Sequence, residues 1–97
     1  MIVRRDLPIG LLAAQIVHAA DESIDGFVTS GMHAVVLTVP SETALLAVSA
    51  NLMSARIAHV RIEEPDAPYN GALMALGLRP MKKEVLKRYL SSLPLLK

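Results

Sequence analysis

The chain has no cysteine and no tryptophan, and its aromatic residues are Phe27, Tyr69 and Tyr89 alone. Without cysteine there can be no disulfide, no thiolate metal site and no thiol nucleophile, and the redox compartment is left unmarked. So few aromatic rings exclude an extended stacking platform for single-stranded nucleic acid. Charge of one sign is scarce as well: ten Lys and Arg against nine Asp and Glu leave a net +1, so any contact with a polyanion must rest on local clusters. No apolar run approaches the ~18 residues of a spanning helix, and no membrane partner is expected. Catalytic and ligand motifs are missing too. There is no G-x-S-x-G elbow and no H-E-x-x-H; His18, His33 and His59 stand at no metal-ligand spacing, and Gly10, Gly26, Gly31, Gly71 and Gly77 build no phosphate-cradling loop. Neither a metal nor a cofactor is expected. Arg4 and Arg5 ahead of an apolar stretch have the outline of a secretion leader, but Asp6 and Gln15 interrupt it and cleavage would remove a strand. A cytoplasmic location is the expectation.

What is present is an unusually apolar small chain. Ninety-seven residues predict one domain over 1–97. Hydrophobic residues make up 53% and the mean hydropathy is +0.43, high for a domain whose surface is large relative to its volume. Apolar surface therefore meets another chain, and the simplest arrangement is a symmetric homodimer.

Hydrophobic patterning gives the order β-α-β-α-β-β-α. Residues 1–7 read as a strand, with Pro8 and Gly10 supplying the turn, and Leu11 to about Ser23 as a helix. Gly26 and Gly31 bracket a loop anchored by Phe27. His33 to Val39 is nearly all apolar and β-branched, the composition of a strand covered on both faces, and is expected at the centre of the sheet. Pro40 ends it, Ser41 caps a second helix and Glu42 lies near the positive end of that helix's dipole. This helix runs to about Ser54 and is apolar around most of its circumference, as if packed on two sides. Ala58 to Glu63 and Gly71 to Leu78 read as strands around an acidic, proline-stiffened turn. A last helix begins at Arg79 and Pro80, buries Met81, Val85, Leu86, Tyr89, Leu90 and Leu93, and stops at Pro94. Such an order builds an α/β domain with a mixed sheet, right-handed crossovers and flanking helices.

The stretch DLPIGLLAAQIVHAA, Asp6 to Ala20, organises the rest. At about 100° per residue, Leu12, Ala13, Ile16, Val17, Ala19 and Ala20 fall on one half of the first helix, and Gln15, His18, Asp21 and Glu22 on the other. Leu11 breaks the division, an apolar side chain on the polar half. The D-L of Asp6 and Leu7, then Gly10, Ala13, Ala14, Gln15, His18 and Ala19, with Arg4 two before the aspartate, resembles the opening of the type II peptidyl-tRNA hydrolase family. EPDAPYNGALMALGL resembles the segment where that family's acidic loop enters its last strand, so the likeness spans the chain, more loosely in its second half. Two departures are specific. The turn before Gln15 is shorter and places Leu11 where the family has a lysine; Met74 falls where the family has a threonine.

The resemblance implies a four-stranded mixed sheet, usually dimeric, that hydrolyses the ester joining a peptide to the 3′-terminal ribose of tRNA. Carried over by position, Gln15 and His18 line the site, and either Glu64 or Asp66 is the essential acid. Arg4, Asp6, Asn70, Lys82 and Lys83 are the candidates for contact with the tRNA 3′ end. As residues alone these groups have plainer readings. Gln15, His18 and Glu22 read as a solvated helix face, Glu63 to Asp66 as a hydrophilic turn, and Lys82, Lys83, Lys87 and Arg88 as a solvated edge whose last two charges suit a helix C-terminus. A developing oxyanion gains ~100-fold or more in rate from one positioned donor, which Leu11 cannot provide. The competing class is a binding or assembly module that keeps the fold without turnover.

Overall fold

The computed structural model describes residues 1–24 and 35–96. Its elements are β1 (Ile2–Arg4), α1 (Ile9–Ile24), β2 (Leu37–Val39), α2 (Glu42–Ser54), β3 (His59–Glu64), β4 (Ala72–Leu78) and α3 (Lys83–Leu90). They follow the expected order. Four strands form one mixed sheet in the order β2-β1-β4-β3, with β1 and β2 parallel and the other two pairings antiparallel.

The alternation of β1 divides the core. Ile2 faces a cluster of Val39, Leu45, Leu52, Leu73, Leu76 and Leu90, joined by Val48 and Leu86, so α2 and α3 cover that face. Val3 faces Leu7, Leu12, Ala19, Ile62, Met74 and Ala75, so α1 covers the other. Each fully buried Leu or Ile contributes about 2 kcal/mol, which makes these two layers the main source of stability.

Several expectations need correction. The first strand is three residues long, not seven, because the chain bends away at Arg5 and Asp6, and α1 starts at Ile9 with Gly10 already inside its first turn. The second strand is terminal in the sheet, not central. Its outer edge is closed by the tail, where Thr38 N–H donates to Pro94 O (2.8 Å), Leu96 N–H donates to Val36 O (3.0 Å) and Leu37 faces Leu95. The apolar run had reported burial and not position. His33, and the loop with Gly26, Phe27 and Gly31, lie outside the described residues.

Ser41 does cap α2, accepting from Ala44 N–H at 3.3 Å. That helix buries one side only, through Leu45, Ser49 and Leu52, while Leu46 and Met53 are exposed. Ser49 Oγ lies 2.8 Å from His59 Nε2, and His59 Nδ1 lies 3.0 Å from Ile57 O. A carbonyl only accepts, so Nδ1 carries the proton and Nε2 accepts from the serine hydroxyl, which ties α2 to β3. The last helix starts at Lys83, not at Arg79 and Pro80, and Tyr89 is exposed.

Two irregularities occur at one end of β4. Ile62 faces Ala75 but Glu63 faces Leu73, so Met74 is an extra residue and the strand bulges there. A bulge turns a side chain to the other face, and Met74 duly joins the α1 layer. Beside it, β1 departs, and Leu73, paired with Glu63 on the β3 side, has no strand partner on the β1 side. Arg4 Nη1 donates to Leu73 O (3.1 Å), and Leu73 N–H donates to Glu42 Oε2 (2.7 Å). A buried N–H that loses a charged acceptor costs about 2 kcal/mol. Glu42→Ala should lower unfolding stability by about that much, measured by urea denaturation.

Candidate functional site

Strand directions gather the chemistry at one end of the sheet. β1, β2 and β3 finish there and β4 begins there, so Arg4, Val39, Glu64 and Ala72 share that edge. Helix α1 leads away from the same end.

Gln15 lies one turn beyond Leu11 on α1 and is only 2% exposed. Its Nε2 donates to Glu64 Oε2 at 3.4 Å, while its Oε1 is buried with no partner among the described residues. Glu64, half-buried at the end of β3, has its other oxygen engaged by the Asp66 N–H at 3.2 Å. Both oxygens are thus oriented, and the remaining lone pairs are open to a small polar molecule.

The expected polar half of α1 is corrected by these contacts. Gln15 is on the buried side with Leu12 and Ala19, whereas Val17 (67% exposed) and Ala13 face outward. A carboxylate on the neighbouring strand provided the polar partner that makes the buried amide tolerable. His18, one turn further along α1, is exposed where Gln15 is buried, and no side-chain hydrogen bond joins it to the pair among the described residues.

The two acidic candidates separate. Glu64 touches Gln15, whereas the Asp66 side chain is exposed and only its backbone takes part, its C=O accepting from Tyr69 and Asn70 N–H at 3.0 and 3.1 Å. Asn70 takes the left-handed backbone that Asn tolerates best after Gly, φ +48°, and its amide donates to Pro68 O at 3.3 Å. These contacts hold it in the turn.

Arg4 and Asp6 are held by each other. Nε and Nη2 reach Oδ1 and Oδ2 at 2.9 and 2.8 Å, a fork that pre-sets the bend after β1. The hydrogen bond from Arg4 holds the Asp6 carboxyl below the ordinary carboxylate range, and the same bond pushes the guanidinium up. A carboxyl depressed on folding stabilises above its unfolded value, about 4, and loses that contribution as pH falls through the folded value. The melting temperature should therefore decline on the acid side below about pH 4, and Asp6→Asn should flatten the part of the decline that Asp6 contributes. The pair is partly exposed, so the amplitude is modest.

Leu11 and Met74 occur in one place. Leu11 is half-buried and packs against the cluster in which Met74 is fully buried. The two departures from the resembled pattern thus belong to one apolar layer, the one that α1 covers. Lys82 is exposed near the start of α3, with Lys87 and Arg88 exposed in its last turn, while the side chain of Lys83 lies outside the described set.

Glu42 was read only as a helix-dipole residue; its grip on Leu73 depends on a bulge that no local pattern announces. Among the described residues no group of three or more metal-ligating side chains occurs, and no described helix is long and apolar enough to cross a membrane. The family described as peptidyl-tRNA hydrolase PTH2 matches residues 1–96, nearly the whole chain, and the chain belongs to it. No individually curated protein matches it.

Proposed function

We propose that this member of the peptidyl-tRNA hydrolase PTH2 family hydrolyses the ester between a peptide and the 3′-terminal ribose of tRNA, with Glu64 as the general base and Gln15 as the residue that holds it. The single observation that carries this reading is the contact of the buried Gln15 amide with Glu64. A carboxylate fixed through both oxygens, with capacity left to accept, is suited to take a proton from water. The water oxygen then bonds to the ester carbonyl carbon. When the tetrahedral intermediate collapses, the bond to the ribose oxygen breaks and that oxygen receives the proton. The products are a peptide carboxylic acid, which gives up its proton to solvent, and a tRNA 3′-hydroxyl.

Among the described residues His18 has no hydrogen bond to Glu64, and in this reading it acts from solvent on the substrate, not on the base. Asp66 contributes its N–H, and Arg4 and Asp6 shape the turn at the end of β1. Lys82 and Lys83 are the cations this reading assigns to the phosphates. Catalysis is slow, because Leu11 and Met74 offer nothing to a developing oxyanion. A homodimer is part of this reading, and Ile9 (81% exposed) and Val17 on the outer side of α1 supply apolar surface for it.

The same apolar Leu11 and Met74 favour a second reading, a module that binds the tRNA 3′ end without turnover. Incubation of the purified chain with peptidyl-tRNA separates the two. Release of free tRNA above the spontaneous rate supports the hydrolase; binding with no release supports the module.

A further inference from the structure

On the α2 face, a groove of about 420 Å³ opens at the carboxyl ends of β1 and β2. Its walls are apolar, formed mainly by Val39, Pro40, Ala44, Val48, Leu93 and Pro94, and among the described residues Arg5 is the one charged residue that lines it. The location has a topological cause. β1 and β2 are parallel neighbours whose following helices go to opposite faces of the sheet, and such divergence opens a crevice beyond the strand ends where α/β sheets take ligands.

Electrostatics narrow the occupant. Two arginines follow one another at the end of β1. Arg4 is closed off by Asp6, but the exposed Arg5 side chain has no ion-pair partner among the described residues, while its backbone is fixed by an N–H bond to Val39 O at 2.8 Å. A fixed root, an uncompensated guanidinium and an apolar slot together match a group with an anionic end and a flat, weakly polar body. A nucleotide of single-stranded RNA has that form, with phosphate to Arg5 and base between Val48 and Leu93.

We propose that this groove holds a nucleotide of the substrate's single-stranded 3′ end, short of the esterified one. The assignment rests on the peptidyl-tRNA reading above. In the order β2-β1-β4-β3, the groove lies over β1 and β2 and Glu64 ends β3. At ~4.8 Å per strand the two are about 10–14 Å apart along the same end of the sheet. The RNA crosses that end, base on the α2 face and ester on the α1 face.

The test is titration of the full chain with a trinucleotide RNA ending in a 3′ adenosine, followed by amide NMR shifts, with inorganic phosphate and free adenosine monophosphate as comparison probes. The trinucleotide should perturb Ala44, Val48 and Leu93. Arg5→Glu should weaken its binding about tenfold. Ala47→Trp, which fills the groove from an exposed helix position that lines it, should abolish the perturbation. Perturbation elsewhere, unaltered affinity in both variants, equal binding of phosphate alone, or tighter binding of the free nucleotide overturns the proposal. The two readings fail separately. RNA binding that is lost in these variants, without ester cleavage by the parent, sinks the reaction and leaves the groove; cleavage with an unchanged KM in both variants sinks the groove and leaves the reaction.

Discussion

Leu11→Lys together with Met74→Thr is expected to raise kcat for peptidyl-tRNA hydrolysis by about 100-fold over the unsubstituted chain. The reason is local. Leu11 is one helical turn before Gln15 and packs against the α1-side cluster that contains Met74, so an ammonium introduced there, with a hydroxyl in the layer below, would serve the oxyanion of the proposed reaction at the Gln15 and Glu64 pair. A donor already in place needs no reorganisation during the reaction, so the gain should appear in kcat more than in KM. Met74 is fully buried, and its replacement by a smaller polar residue costs about 2 kcal/mol or more of stability. Leu11→Lys alone, at a half-buried position, carries less of that burden and should retain part of the gain. Single-turnover rates for both variants, with circular dichroism to establish folding, check the expectation. Equal rates in folded parent and variants would mean that Leu11 and Met74 are irrelevant to turnover.

Glu64→Gln should lower kcat by about 100- to 10,000-fold, the range of a lost general base. Glutamine preserves the shape, and its amide oxygen can still accept from the Gln15 amide or from Asp66 N–H, so the loop and the melting temperature should change little. Asp66→Asn is the informative comparison. Its side chain is exposed and, among the described residues, makes no hydrogen bond to the pair, so its rate should stay within about threefold of the parent. If the aspartate variant fails and the glutamate variant does not, the acid has been misassigned.

Much of the fold was legible in the sequence because it rests on local rules. Ser41 after Pro40 announced a helix start, and Glu63 to Asn70, with its two prolines, announced the turn between β3 and β4. The errors came from what neighbours impose. Leu37–Val39 looked central because both its faces and its edges are covered, yet the cover on one edge is the tail at Pro94 and Leu95, far away in sequence. Gln15 looked solvent-facing because it is polar, whereas the buried arc of α1 was chosen by Glu64 on another strand. The site was legible in part for the same reason. Gln15 and Glu64 could be named from resemblance, but the contact between them needed the end of β3 in three dimensions. The bulge that turns Met74 into the α1 layer has no local signal at all, and neither has the free edge of Leu73 that Glu42 holds.

The most direct measurement is single-turnover cleavage of peptidyl-tRNA by the unsubstituted chain in excess over substrate, beside a reaction without protein. The account predicts a first-order release of peptide and of tRNA bearing a free 3′-hydroxyl, slow but dependent on the protein and on Glu64. Cleavage no faster than the spontaneous reaction, with the tRNA bound, would contradict it.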